Sequence, residues 1–63
     1  MPIVTVELWE GQPVEVKKKI MDGITTTLNS VGVPREDVNI IIKDNPKHNW
    51  WKNDQIVSEM FPD

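Results

Sequence analysis

The sequence predicts an α+β protein built on one strand–helix–strand unit. Three observations carry that expectation: an alternating apolar run at the start, one helical apolar stripe in the middle, and a β-branched run after it. Val4, Val6 and Leu8 share a face with Pro2, while Ile3, Thr5, Glu7 and Trp9 fall on the other. That period of two marks residues 1–8 as a strand. Glu10-Gly11-Gln12-Pro13 breaks it, with Gly11 permitting a turn and Pro13 suited to the first turn of a helix. Val16, Ile20, Ile24, Leu28 and Val31 follow at spacings of four, four, four and three, and Met21 widens the stripe. Gly32 suits a helix C-cap and Pro34 prevents continuation, which gives a helix of roughly 18 residues. Val38-Asn39-Ile40-Ile41-Ile42-Lys43 is a second strand.

Two strands joined through a helix are expected to be parallel, with a right-handed crossover. One helix covers one face of a two-stranded sheet, so the other face calls for another subunit. Asp44 to Lys47 is a turn. The tail, with Trp50, Trp51, a turn-like Asn53-Asp54 and then Ile56, Val57, Met60 and Phe61, is a short irregular or hairpin segment expected to dock on a neighbour. Residues 1–63 form a single domain without repeats or linkers.

Composition narrows the possibilities further. A chain of 63 residues buries only about 60% of its unfolded surface and needs a staple. Cysteine is absent and His48 is the only histidine, which excludes disulfides and argues against a zinc site. Oligomerisation is the remaining staple, and three tryptophans are more than so small a chain hides alone. A net charge of −3 argues against nucleic acid and anionic membrane as partners. Lys17-Lys18-Lys19 is expected on a solvated helix face. No stretch approaches the roughly 18 apolar residues of a membrane span and no signal peptide is visible, so a cytoplasmic location is expected.

The residue with the most chemical potential is Pro2. Initiator methionine is normally trimmed before a small residue, and the freed Pro2 nitrogen is a secondary amine. A chain α-amino group has a reference pKa of about 8, and an apolar pocket or a nearby cation lowers it toward a value suited to a general base. With Met1 attached, the same nitrogen is an unreactive tertiary amide. The plain alternative is a start codon followed by a proline tolerated at a strand's first residue.

Met-Pro-Ile-Val-Thr-Val at the start, Trp9-Glu10-Gly11 ending the strand, Val38 to Ile42, and Pro46-Lys47-His48-Asn49-Trp50 together resemble the 4-oxalocrotonate tautomerase family. The resemblance covers essentially the whole chain. It implies a β-α-β protomer that dimerises into a four-stranded sheet backed by two helices, and a homohexamer assembled as a trimer of dimers. It implies interconversion of enol and keto forms of 2-oxo acids, with Pro2 moving a proton between oxygen and carbon. No metal or organic cofactor is implied.

This sequence departs from the family's pattern at two positions. Where the best-studied members carry arginines that grip substrate carboxylates, it has Gln12 after the Glu-Gly pair and Asn39 in the later strand. Both amides still donate hydrogen bonds, but neither supplies charge. Losing a charge-assisted bond to a carboxylate costs about 1.5–3 kcal/mol per site. The pocket aromatic is kept as Trp50, whereas the glycine-rich run that commonly follows is replaced by Trp51-Lys52-Asn53-Asp54.

Each candidate also has a plainer role. Trp50 serves as pocket wall or interface core, Asn39 as pocket donor or exposed strand residue, and Gln12 as substrate contact or turn residue. Trp9 and Trp51 are assigned to packing. Arg35 is expected to pair with Glu36 or Asp37 or to be solvated, and His48 to lie on the surface. Lys43 and Lys52 are possible donors of a cation to an adjacent subunit. The sequence therefore points to a tautomerase with Pro2 as base and then acid, and with Gln12, Asn39 and Trp50 binding a 2-oxo acid or its enol. Missing arginines favour a monocarboxylate over a dicarboxylate. Two alternatives stand beside it: a non-catalytic oligomer of the same fold, and one subunit of a hetero-hexamer whose partner brings the arginines.

Overall fold

Strand β1 (Ile3–Trp9) and strand β2 (Asn39–Asn45) pair in parallel over seven residues, from Ile3 opposite Asn39 to Trp9 opposite Asn45. Helix α1 (Val14–Ser30) makes the crossover between them. These features come from a computed structural model that describes residues 1–62. They match the expected βαβ unit, with both strands displaced by a residue or two from the expected bounds. β2 runs on through Asp44 and Asn45, where the sequence predicts a turn. The cause is Asn45, whose Nδ2 donates to the carbonyls of Leu8 and Lys43 at 3.2 Å, while its own carbonyl accepts from the Glu10 amide at 2.9 Å. These bonds keep the ladder closed to the end of β1.

Pro13 caps α1 at its N-terminus, its carbonyl accepting from the amides of Val16 and Lys17 at 3.1 and 3.2 Å. At the other end Gly32, with φ +104°, takes the left-handed conformation that L side chains avoid. Its amide bonds to Asn29 O and that of Val33 to Leu28 O, the two bonds of a Schellman cap. Ile20, Met21, Ile24 and Leu28 are half-buried, as the stripe requires, but Val31 lies past the helix end and is exposed. Lys18 and Lys19 are solvated as expected, whereas Lys17 turns back to Asp44 of β2, Nζ to Oδ2 2.6 Å.

Arg35 corrects another expectation. It lies in a short 3-10 turn at Arg35–Asp37 and pairs with Asp22 of α1 at 2.8 Å, with a second bond to Thr26 Oγ1. Neither Glu36 nor Asp37 is its partner in these contacts, because the turn folds Arg35 back along the helix. The tail is the expected hairpin, with β3 (Trp51–Lys52) antiparallel to β4 (Gln55–Ile56), and it ends in the one-turn helix α2 (Val57–Met60). Asn53 at φ 51° and Asp54 at φ 62° form its two-residue turn, both left-handed as a type I′ hairpin needs. Trp51, assigned to packing, is exposed on this hairpin.

Among the described residues Val57 alone is fully buried, at 0% exposure. The outer sheet face is open, with Ile3 64% exposed. The radius of gyration is 14.6 Å, against about 11 Å for a compact chain of this length. The accessible surface is 4785 Å², against about 4,200 Å² for a typical monomer of this mass. No helix among the described residues is long and apolar enough to cross a membrane.

The hairpin turn yields a direct test. Asp54→Val places a β-branched residue at positive φ and is expected to lower stability by about 1–2 kcal/mol. Asp54→Gly is expected to hold stability or raise it, since glycine adopts that φ freely. Urea denaturation of both variants reads the difference.

Candidate active site

A cleft of about 360 Å³ opens where β1 meets the start of α1. β1 contributes Glu7, Leu8 and Trp9; α1 contributes Val16 and Ile20; Gln12 and Trp50 complete the lining. Gln12 reaches it from the strand-to-helix turn, where Gly11, with φ +109°, reverses the chain. Trp50 reaches it from the other side, just after a 3-10 turn at Lys47–Asn49. Its carbonyl accepts the Val57 amide at 2.8 Å, which ties the wall to the buried anchor of the tail.

Trp9 holds the aromatic end together. Its ring meets Trp50 edge-on, with centroids 6.0 Å apart and planes at 88°. Phe61 packs on it at 5.3 Å and 36°. Lys47 Nζ lies 5.9 Å from the Trp9 ring and donates to the Phe61 carbonyl at 2.9 Å. Edge-to-face aromatic pairs contribute about 0.5–1.5 kcal/mol each beyond their burial. The tail, expected to dock on a neighbour, thus packs on Trp9 of its own chain.

The four expected site residues divide between the two ends of the sheet. Gln12 and Trp50 share the cleft. Pro2 lies at the opposite end of β1, about 23 Å from Trp9 at the usual rise of a strand. There its carbonyl accepts the Asn39 amide at 3.1 Å. Asn39 is exposed on the same sheet face as Ile3 and Ile41, with Nδ2 3.3 Å from the Asp37 carbonyl. Pro2 is half-buried, and with Met1 in place its nitrogen is an amide.

Of the cleft residues that sequence reasoning did not name for the site, Glu7, Leu8, Trp9, Val16 and Ile20, Trp9 is the aromatic one. The alternation that placed it on the outer face holds through Glu7 and then fails, because Leu8 and Trp9 are both half-buried. An indole three residues before Gln12 was the available clue. Its Nε1–H is buried and finds no partner among the described residues.

The parallel βαβ unit and its cleft define an α+β protein with a pocket of small-molecule size. The family model described as tautomerase enzyme matches residues 2–60. A 2-hydroxymuconate tautomerase from Comamonas testosteroni is 37% identical over 51 residues, covering 79% of this chain and 81% of that protein. A probable tautomerase from Ralstonia nicotianae is 35% identical over 51 residues, covering 79% of this chain and 73% of its own. The solved structure of a 4-oxalocrotonate tautomerase isozyme from Methylibium petroleiphilum superposes with a TM-score of 0.86 at 30% identity, covering 94% of this chain and 97% of that one. The chain belongs to the tautomerase family.

The unpartnered indole N–H makes Trp9 an unusual packing residue. Trp9→Phe is expected to change stability by less than about 1 kcal/mol, since the donor it removes has no partner among the described residues. Trp9→Ala removes the surface that Trp50 and Phe61 pack on and is expected to cost about 3 kcal/mol. Thermal and urea unfolding of the pair separate the ring from its N–H.

Proposed function

We propose that the chain is a keto–enol tautomerase acting on a 2-oxo acid or its enol, with Pro2 as general base and then general acid once Met1 is removed. The observation that carries this is where the family match begins: at Pro2, not at Met1. Met1 is 86% exposed, which leaves it accessible to removal. In the reaction the freed Pro2 nitrogen takes the proton of the enol hydroxyl. The electron pair of that O–H bond becomes the carbonyl, the C=C electrons move to carbon 3, and the proton on nitrogen is delivered there. The sum is an isomerisation that needs no metal or organic cofactor.

Gln12 and Asn39 orient the substrate oxygens through their amides, and Trp50 supplies the apolar wall. Pro2 and the Gln12–Trp50 cleft sit at opposite ends of β1, so one substrate meets both only where two protomers bring unlike ends together. The extended shape and the open sheet face support such an assembly. We assign it as a homohexamer, a trimer of dimers, working in the cytoplasm. Amides in place of arginines favour a monocarboxylate. They also support a second reading, a non-catalytic oligomer of the same fold, for which the bond from Asn39 to the Asp37 carbonyl speaks as well.

Ketonisation of phenylenolpyruvate decides between the two, using protein whose Met1 removal is verified by mass. Wild type is expected to exceed the buffer rate and Pro2→Ala to fall by at least about 100-fold. Equal rates for wild type, mutant and buffer would favour the non-catalytic reading. Gln12→Arg restores a charge-assisted contact and is expected to raise kcat/KM for the dicarboxylate 2-hydroxymuconate by about 10- to 150-fold.

A further inference from the structure

We propose that Trp9 is a specificity-determining wall of the cleft, and that the cleft takes the aryl end of a mono-anionic ligand rather than a second carboxylate. The inference deepens the proposed function and rests on it for the reaction, but not for the binding preference.

The first argument is the chemistry of the lining. Leu8, Val16 and Ile20 are aliphatic, Trp9 and Trp50 are indoles, and the polar groups are the Gln12 amide and Glu7. None of the lining residues is a lysine, arginine or histidine. A carboxylate entering here loses water to apolar walls and meets another carboxylate in the lining, both of which oppose its charge. Two lysines of this region are turned to other partners. Lys17 pairs with Asp44, and Lys47 donates to the Phe61 carbonyl beside the Trp9 ring. Neither lines the cleft.

The second argument is the fixity of Trp9. Trp50 meets it edge-on, Phe61 packs on it, and Lys47 holds the carbonyl of that same phenylalanine. A wall held from several directions loses little further freedom when a flat ring settles on it, which is how preorganised sites gain affinity. Because Nε1 is already buried, Trp9 offers carbon surface rather than a donor. Two indoles at 88° present a corner rather than a single flat wall, and aromatic rings favour both offset-stacked and edge-on contacts.

Three unreactive acids test this by titration calorimetry on the intact assembly: trans-cinnamate, sorbate and trans,trans-muconate. Sorbate differs from muconate by a methyl in place of the second carboxylate, so that pair reads charge, while cinnamate against sorbate reads the ring. The expected order is cinnamate tightest and muconate weakest, with about tenfold between those two. Trp9→Leu is expected to weaken cinnamate about tenfold and muconate several-fold less, and Trp9→Phe to retain most of the cinnamate affinity. Thermal melts and size-exclusion chromatography check that each variant keeps its fold and assembly. Muconate binding as tightly as cinnamate would overturn the inference, as would an equal loss of all three acids in Trp9→Leu. Proline-dependent ketonisation without aryl preference overturns the inference and leaves the tautomerase reading standing. Aryl preference without proline-dependent turnover supports the inference and removes that reading.

Discussion

The seven-residue parallel ladder between β1 and β2 is the constraint on which the rest of the molecule depends. Parallel strands cannot be joined by a tight turn, so the chain must travel the length of the sheet and return, and α1 is that return. The ladder therefore places the start of β1 beside the start of β2, which brings Pro2 to Asn39. It places the ends of both strands together as well, which brings Trp9 to Asn45. The crossover leaves β1 at its far end, so Gln12 belongs to the Trp9 end and cannot reach Pro2 within one chain.

The same topology leaves the protomer half-finished as a folded body. One helix shields one face of two strands, while Phe61 of the tail packs on Trp9 and Trp51 of the hairpin stays exposed. The consequence is the open face carrying Ile3 and Ile41, and a radius of gyration of 14.6 Å where about 11 Å is usual. A divided set of site residues and an incomplete core have one cause. The proposed assembly with a second copy would supply both the missing burial and the candidate residues that one chain holds apart.

Much of this was legible in residue order. The strand alternation of Val4, Val6 and Leu8, the four-residue spacing from Val16 to Leu28, and the Gly32 cap each reflect interactions among near neighbours in the chain. The Asn53-Asp54 turn reads the same way, because its side chains tolerate positive φ. What escaped were contacts between distant positions. Arg35 finds Asp22 thirteen residues back rather than its acidic neighbours, and Asn45 extends β2 because it reaches Leu8 across the sheet.

The candidate site divides along the same line. Pro2 was named from order and residue chemistry, since a strand-leading amine is a property of the residue itself, whereas Gln12, Asn39 and Trp50 were named from the resemblance to the tautomerase family. Trp9 was named from neither, because its role depends on Trp50, Phe61 and Lys47 converging from a tail about 40 residues away or more. Sequence alone determined the βαβ unit, its helix cap and its Asn53-Asp54 turn, because these follow from local periodicity and residue type, while the family was carried by the resemblance of its motifs. Only the tertiary structure decided that Trp50 joins Gln12 at one cleft and that Trp9 lines it. Those facts are distances between remote residues, and strand pairing and side-chain packing set them.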